Sequence, residues 1–170
     1  SRNEDYIHLA NGMLDVSGED FRLCDFSPEY LSRNQIPINF DPEATCPRFE
    51  NELLGMALDE DDLETVQLYF GQCLTGKNPT QTFLVVTGTP EGGKTQLLNV
   101  VKEIIGSRNA YELRIEHVSK QFEAFNWLDK TLLFAADAKG KFLETKGVDV
   151  IKRLVGGDPM NAERKGGQEH

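Results

Sequence analysis

The chain is 170 residues long, 39% hydrophobic, and carries a formal net charge of −10; that composition supports one buried core with a smaller appendage and excludes a disordered or fibrous polypeptide. Its longest apolar runs fall far short of the roughly 20 residues that cross a bilayer, and no charged, apolar, small-residue leader opens it, so a soluble intracellular protein with no membrane partner is expected. The acidity is uneven, with 16 acidic and 4 basic side chains in residues 1–70 against 12 and 14 in residues 71–170, so contact with nucleic-acid phosphates is expected from the second half.

In chain order, Asn11-Gly12 sits between two short apolar runs, Ile7 to Ala10 and Met13 to Val16, which predicts a β-hairpin. Pro28, Pro37, Pro42 and Pro47 then punctuate a polar stretch, predicting an irregular connection over 25–48. A helix beginning near Pro47 would turn Phe49, Leu53 and Met56 inward, and a second beginning after Asp59 would bury Leu63, Val66, Phe70 and Cys73 or Leu74. The run Asp59-Glu60-Asp61-Asp62 reads as carboxylates at a helix N-terminus, where they cap free N–H groups, rather than as a metal site. Gly76 to Pro79 closes this helical segment.

Residues 88–95 read Gly-Thr-Pro-Glu-Gly-Gly-Lys-Thr, the phosphate-loop pattern G-x-x-x-x-G-K-[ST]. The apolar run Thr82 to Val86 before it is built like a buried strand, and Leu97, Leu98, Val101, Ile104 and Ile105 after it have helical spacing up to Gly106. In such a loop the glycines let successive N–H groups face phosphate oxygens at a helix N-terminus. Nucleotide binding is therefore expected at Gly88, Thr89, Pro90, Glu91, Gly92, Gly93, Lys94, Thr95 and Gln96, with Lys94 reaching the β- and γ-phosphates and Thr95 offering its hydroxyl to Mg²⁺.

Further on, Tyr111 to Ile115 is a candidate strand, and Ser119 to Trp127 a candidate helix packing Phe122 and Phe125. The apolar run Thr131 to Ala136 ends in Asp137, as does the strand that supplies a Mg²⁺-binding carboxylate in P-loop ATPases, which gives Asp137 a metal and catalytic role beside Lys94. Val148 to Val155 predicts a short amphipathic helix. Arg164-Lys165, between glycines at 156–157 and 166–167, is either a solvated turn or a basic loop that touches phosphates. Cys24, Cys46 and Cys73 form no C-x-x-C pair and His8, His117 and His170 are scattered, so neither a zinc site nor a disulfide scaffold is indicated.

These segments together resemble the superfamily 3 helicases of phage and plasmid primase-helicases, whose motor is a compact AAA+-related ATPase. The resemblance is carried by Asn11 to Leu14 with Asp41-Pro42 and Cys46 to Phe49 in front, by Gly88 to Thr95 and Leu132 to Asp137, and most specifically by Lys152 to Asp158 followed by Glu163-Arg164-Lys165. It implies an α/β chain with a three-layer P-loop NTPase core over residues 80–170, incomplete at its C-terminus, preceded in residues 1–79 by the hairpin and a small helical domain. It further implies ATP and Mg²⁺ as cofactors, a hexameric ring on single-stranded DNA, a primase domain upstream, and action in the cytoplasm of a bacterial host. Arg164 and Lys165 would then face the channel and track DNA phosphates.

Two features depart from the family. Ala136 and Ala138 flank a single acidic residue, Asp137, where the family offers two, which leaves the base that orients the attacking water unassigned, with Glu144 one candidate. The chain stops at His170, before the family's sensor asparagine and arginine finger, and starts at Ser1, both expected of a piece of a longer protein. Two other classes stay open: an ATP-binding assembly module with little hydrolysis, and a P-loop small-molecule kinase, against which the scarcity of arginine after Asp137 counts.

Overall fold

A computed structural model of the chain describes residues 5–114, 126–127, 129–136, 144 and 147–158. The hairpin forms as the Asn11-Gly12 signal predicts: β1 (Tyr6–Leu9) pairs antiparallel with β2 (Gly12–Asp15) in the register Ile7 to Leu14 and His8 to Met13. Asn11 locks the turn to the connection behind it, donating from Nδ2 to the Phe40 carbonyl and accepting from the Phe40 N–H, both at 2.9 Å. A third strand, β3 (Arg22–Cys24), joins the other edge of β2. It explains why position 12 is glycine, since a Cβ there would lie 2.6 Å from the Cys24 carbonyl oxygen. Ile7, Leu9 and Leu14 bury one face of this sheet with Ile36, whose backbone N–H donates to the His8 carbonyl at 2.8 Å. The connection is otherwise irregular, as its prolines predict, apart from a 3-10 turn at Pro28–Tyr30.

Helical geometry opens at Pro47, where a missing N–H costs nothing. It then widens into a π-helical turn, Phe49–Leu54, in which the Gly55 N–H donates to the Glu50 carbonyl five residues back, before one α-helical turn, α1 (Gly55–Ala57). This corrects the expected inward face. With i→i+5 bonding, Phe49 and Leu54 come onto one side; Leu54 is buried, whereas Met56 is 81% exposed. Helix α2 (Glu60–Thr75) begins and ends as predicted: Asp59 Oδ1 accepts from the Asp62 N–H at 2.9 Å, and Gly76 closes the helix at φ 66°. Its inner side carries Val66, Phe70, Cys73 and Leu74.

The run Thr82 to Val86 is not a strand, contrary to the sequence reading. A strand needs a neighbour for its backbone groups, and here the neighbour is a side chain. Asn78 donates to the Thr82 carbonyl at 2.6 Å and accepts from the Thr82 N–H at 3.2 Å, while Gln81 is turned to φ 52°. Val85 and Val86 are left 45% and 41% exposed.

Helix α3 (Lys94–Ile105) follows the glycine loop and stops at Gly106, φ 86°, burying Leu97, Val101 and Ile105. Strands β4 (Ala110–Glu112) and β5 (Leu132–Phe134) pair in parallel, with the Leu113 N–H extending the ladder to the Phe134 carbonyl. The strand expected over Tyr111 to Ile115 thus starts one residue earlier, and the helix expected over Ser119 to Trp127 lies outside the described residues except for Asn126 and Trp127, both helical. Helix α4 (Gly147–Gly156) covers the predicted Val148 to Val155. It ends in a Schellman motif, in which the Asp158 N–H reaches the Arg153 carbonyl and the N–H of Gly157, at φ 73°, reaches that of Leu154.

Apolar packing joins these parts. Leu54 and Val66 meet Leu97 in one cluster; Val101, Ile105 and Leu132 form a second against Phe70 and Leu74; Leu113 and Trp127 form a third with Leu133, Val150 and Leu154. Each fully buried side chain of this kind contributes about 1.5–3 kcal/mol. Among the described residues no helix is long and apolar enough to cross a membrane.

The same packing separates the thiols. Burial pushes the Cys73 thiol up to about 11, so it is almost wholly protonated at neutral pH, and the residue is half-buried; Cys46 is exposed, its thiol raised by the hydrogen bond it donates to Glu50. In the native protein at pH 8, alkylation followed by peptide mass mapping is expected to label Cys46 before Cys73, and unfolding to remove the difference.

Candidate functional site

The loop from Gly88 to Gly93 folds around one side chain. The Lys94 ammonium turns back over the loop and donates to the carbonyls of Gly88 at 2.9 Å and Thr89 at 2.6 Å. The Gly92 N–H closes a turn onto the Thr89 carbonyl at 3.2 Å. Gly88, Glu91 and Gly93 take φ of 156°, 63° and 80°, so the chain makes three departures into a region that L side chains rarely adopt.

Sterics explain the glycines individually. A Cβ on Gly92 would stand 3.1 Å from the Thr89 carbonyl oxygen, whereas at Gly88 a Cβ would meet the Lys94 ammonium only at ordinary contact, 3.9 Å, and the backbone angle of φ 156° is what favours glycine. Gly93 is the N-cap of α3 and uses no side chain to cap it; the first intrahelical bond runs from the Leu97 N–H to the Gly93 carbonyl at 2.9 Å. The N–H groups of the first turn of a helix have no carbonyl within it and carry its positive end. Lys94 opens that turn, followed by Thr95 and Gln96, both exposed.

Of the residues expected to bind nucleotide, the structure brings Gly88, Thr89, Gly92, Gly93 and Lys94 together through these contacts, with Pro90 and Glu91 exposed at the tip of the loop. The remaining expected site residues, Asp137, Arg164 and Lys165, lie outside the described residues. Glu144 is exposed.

One participant went unmarked in the sequence. Leu53 Cδ1 lies 3.2 Å from the position of a Cβ on Gly93, so the π-helical segment braces the foot of the loop. No local pattern announces a contact between positions 40 residues apart. Gly93→Ala is expected to cost about 1–2 kcal/mol for the left-handed backbone alone, more where Leu53 cannot yield. In a thermal melt this lowers Tm by about 2–8 °C. Gly71→Ala, inside α2 with nothing within 4 Å of the added methyl, shifts the melt the other way by about 0.5–1 kcal/mol.

Residues 86–170, half of the chain, match the model of a family described as a family of unknown function, DUF5906. The chain belongs to this family. The match takes in the glycine loop, α3, β4, β5 and α4. Ahead of this DUF5906 portion, residues 1–56 match a second model, described as D5 N terminal like, which takes in β1 to β3 and the π-helical turn. That model corresponds to the N-terminal region of phage and plasmid primase-helicase proteins, and the match is consistent with a protein of that type. No curated protein matches the chain.

Proposed function

We propose that the chain is the nucleotide-binding part of an ATP-dependent DNA helicase motor in a phage or plasmid replication protein. The observation that carries this reading is the lysine-over-glycine loop at the start of α3. Its support is chemical. The residues present fit a phosphate chain: Gly88 leaves open the space beside the Lys94 ammonium, that ammonium stands over the loop, and the N–H groups of a helix start there.

In this reading the Lys94 ammonium exchanges its two carbonyl partners for phosphate oxygens, the loop N–H groups and the α3 terminus hold the phosphates by charge-assisted hydrogen bonds, and the Thr95 hydroxyl holds Mg²⁺. ATP supplies the free energy of its β–γ phosphate bond. The D5 N terminal like match of residues 1–56 supports placing this chemistry in replication. The three-layer P-loop core, the hexameric ring, the Asp137 metal role, and Arg164 and Lys165 as the residues that follow DNA phosphates are parts of the same proposal. So is the bacterial host cytoplasm as its place of action.

The test is phosphate release from the natural full-length protein, with and without single-stranded DNA, with Lys94→Ala as the background. Stimulation by DNA that disappears in Lys94→Ala is the expected result, and salt should weaken the stimulation because phosphate contacts carry it. ATP binding without DNA-dependent release would replace the motor by an ATP-binding assembly module. ADP formation only with a small acceptor, the phosphoryl group passing to that acceptor with no free phosphate released, would replace it by a kinase.

A further inference from the structure

The sheet of β1 to β3 has a second face. Successive strand residues alternate sides, so the register that buries Ile7, Leu9 and Leu14 on one side sets His8, Met13 and Cys24 on the other. Residues 26–32 fold over this side without filling it. They leave a cavity of about 250 Å³ lined by His8, Met13, Phe26, Pro28, Tyr30 and Ser32.

Its walls are built rather than loose. The Phe26 and His8 rings meet edge to face at 5.6 Å between centroids, Tyr30 packs against Tyr6 at 4.6 Å with the rings tilted by 48°, and His8 Nδ1 is 3.1 Å from Ser32 Oγ. Ser27 caps the 3-10 turn by accepting from the Glu29 N–H, and the following Leu31 takes φ 49°. Met13 forms a floor that is 3% exposed, whereas Phe26 and Leu31 leave apolar surface in water at the rim.

The volume is below the roughly 300–1,000 Å³ of small-molecule sites and suits a single anchoring side chain of the kind that dominates interfaces. Charge decides the class of ligand. In sequence, the exposed Asp25 and Glu29 flank Phe26 to Pro28 against one exposed cation, Arg33 beside Ser32, and residues 1–70 hold 16 acidic against 4 basic side chains. Of the basic ones, Arg22 is paired with Asp15 at 3.7 Å. An aromatic-lined pocket would also stack a nucleobase, but the phosphates of a nucleic acid would meet the net acidity of residues 1–70.

We propose that this cavity docks a basic polypeptide segment, seating one apolar or aromatic side chain against Phe26, Tyr30 and Met13 while neighbouring lysines or arginines meet Asp25 and Glu29. Such a surface gives the D5-like end a protein partner, independently of what the glycine loop binds. Charge steers the encounter and the anchor holds it.

The test is an NMR titration of the whole chain with the peptide Lys-Lys-Phe-Leu-Lys-Lys, reading the Met13 methyl and the His8 ring. Saturable shifts at both are expected, with none from the peptide in which glutamate replaces every lysine. Phe26→Ala, at a side chain 55% exposed and so outside the core, is expected to weaken binding about tenfold. The double change Asp25→Lys with Glu29→Lys should weaken it severalfold and flatten its salt dependence. Several outcomes overturn the proposal: no shift at Met13 and His8 up to millimolar peptide, unchanged affinity in Phe26→Ala, oligothymidylate moving the same signals more strongly, or shifts that follow protein concentration without peptide, which would make a second copy the occupant.

Discussion

Lys94→Ala is expected to lower the affinity for Mg²⁺-ATP by about tenfold to more than a hundredfold while leaving the melting temperature of the nucleotide-free protein within about 2–4 °C. The first half follows from the position of the ammonium over the glycine loop. A hydrogen bond to a charged group is worth about 1.5–3 kcal/mol, and each 1.4 kcal/mol is a factor of ten in binding. The second half follows from exposure. Gly88 and Thr89, whose carbonyls the ammonium now engages, are open to water, so removing the donor leaves two acceptors that solvent satisfies, at a cost of about 1 kcal/mol or less.

Thermal melts read both halves at once. Ligand at a hundred times its Kd adds about 2.7 kcal/mol, which raises the Tm of a chain this size by about 5–11 °C. The parent protein should therefore shift with nucleotide, and Lys94→Ala should start at nearly the same Tm and fail to shift. If the variant binds ATP as the parent does, the loop is only a turn before a helix and the proposed motor loses its basis.

How much of this was legible depends on whether the governing contact is local. Asn11-Gly12, the Asp59 cap, Gly76 and Gly106 are signals in which a residue acts on its own backbone or its next turn, and each marks an element boundary in the structure. The glycine loop belongs with them, because its pattern specifies a turn, a lysine and a helix within eight residues. The failures come either from a partner strand that the segment cannot announce or from an unusual local geometry that the pattern does not mark. Thr82 to Val86 has the composition of a strand, but composition cannot supply a neighbouring strand, and the Asn78 side chain takes the Thr82 backbone groups instead. Strand β3 is three residues with no alternation of its own and exists because β2 offers an edge. Met56 was misread because the π-helical turn changes the period on which inward faces are counted.

Asn109 is the sharpest case of a distant partner, and its replacement carries the largest expected loss of stability. By sequence it is a polar residue in a turn after a helix; in the structure it is 2% exposed. Its Nδ2 donates to the Ile105 carbonyl at 2.9 Å, satisfying an acceptor that the end of α3 leaves open, and to the Gln35 carbonyl at 2.7 Å, 74 residues away. The Asn109 carbonyl in turn accepts from the N–H groups of Thr131 at 2.8 Å and Leu132 at 3.1 Å, where β5 begins. Gln35 adjoins Ile36, which is bridged to Leu9 of β1. One residue thus ties the front sheet, the far end of the helix that carries Lys94, and β5.

Asn109→Leu keeps the size of the side chain but removes the donor, leaving two carbonyls facing an apolar group. The Ile105 carbonyl, left buried without a partner, costs about 1–3 kcal/mol, whereas water reaches the carbonyl of the exposed Gln35 and its lost bond costs about 1 kcal/mol or less, so a loss of about 1–4 kcal/mol is expected, a fall in Tm of about 2–16 °C. Asn109→Asp should be as harmful or worse at neutral pH, because a carboxylate cannot donate and would confront two carbonyl oxygens. Arg108→Ala, at the neighbouring exposed side chain, is the control and should stay within about 0.5 kcal/mol. Equal melts for Asn109→Leu and the control would mean that the joint between the front sheet and α3 is held by apolar packing alone, through Leu74 and Ile105, and that the hydrogen bonds to Gln35 and Ile105 merely accompany it.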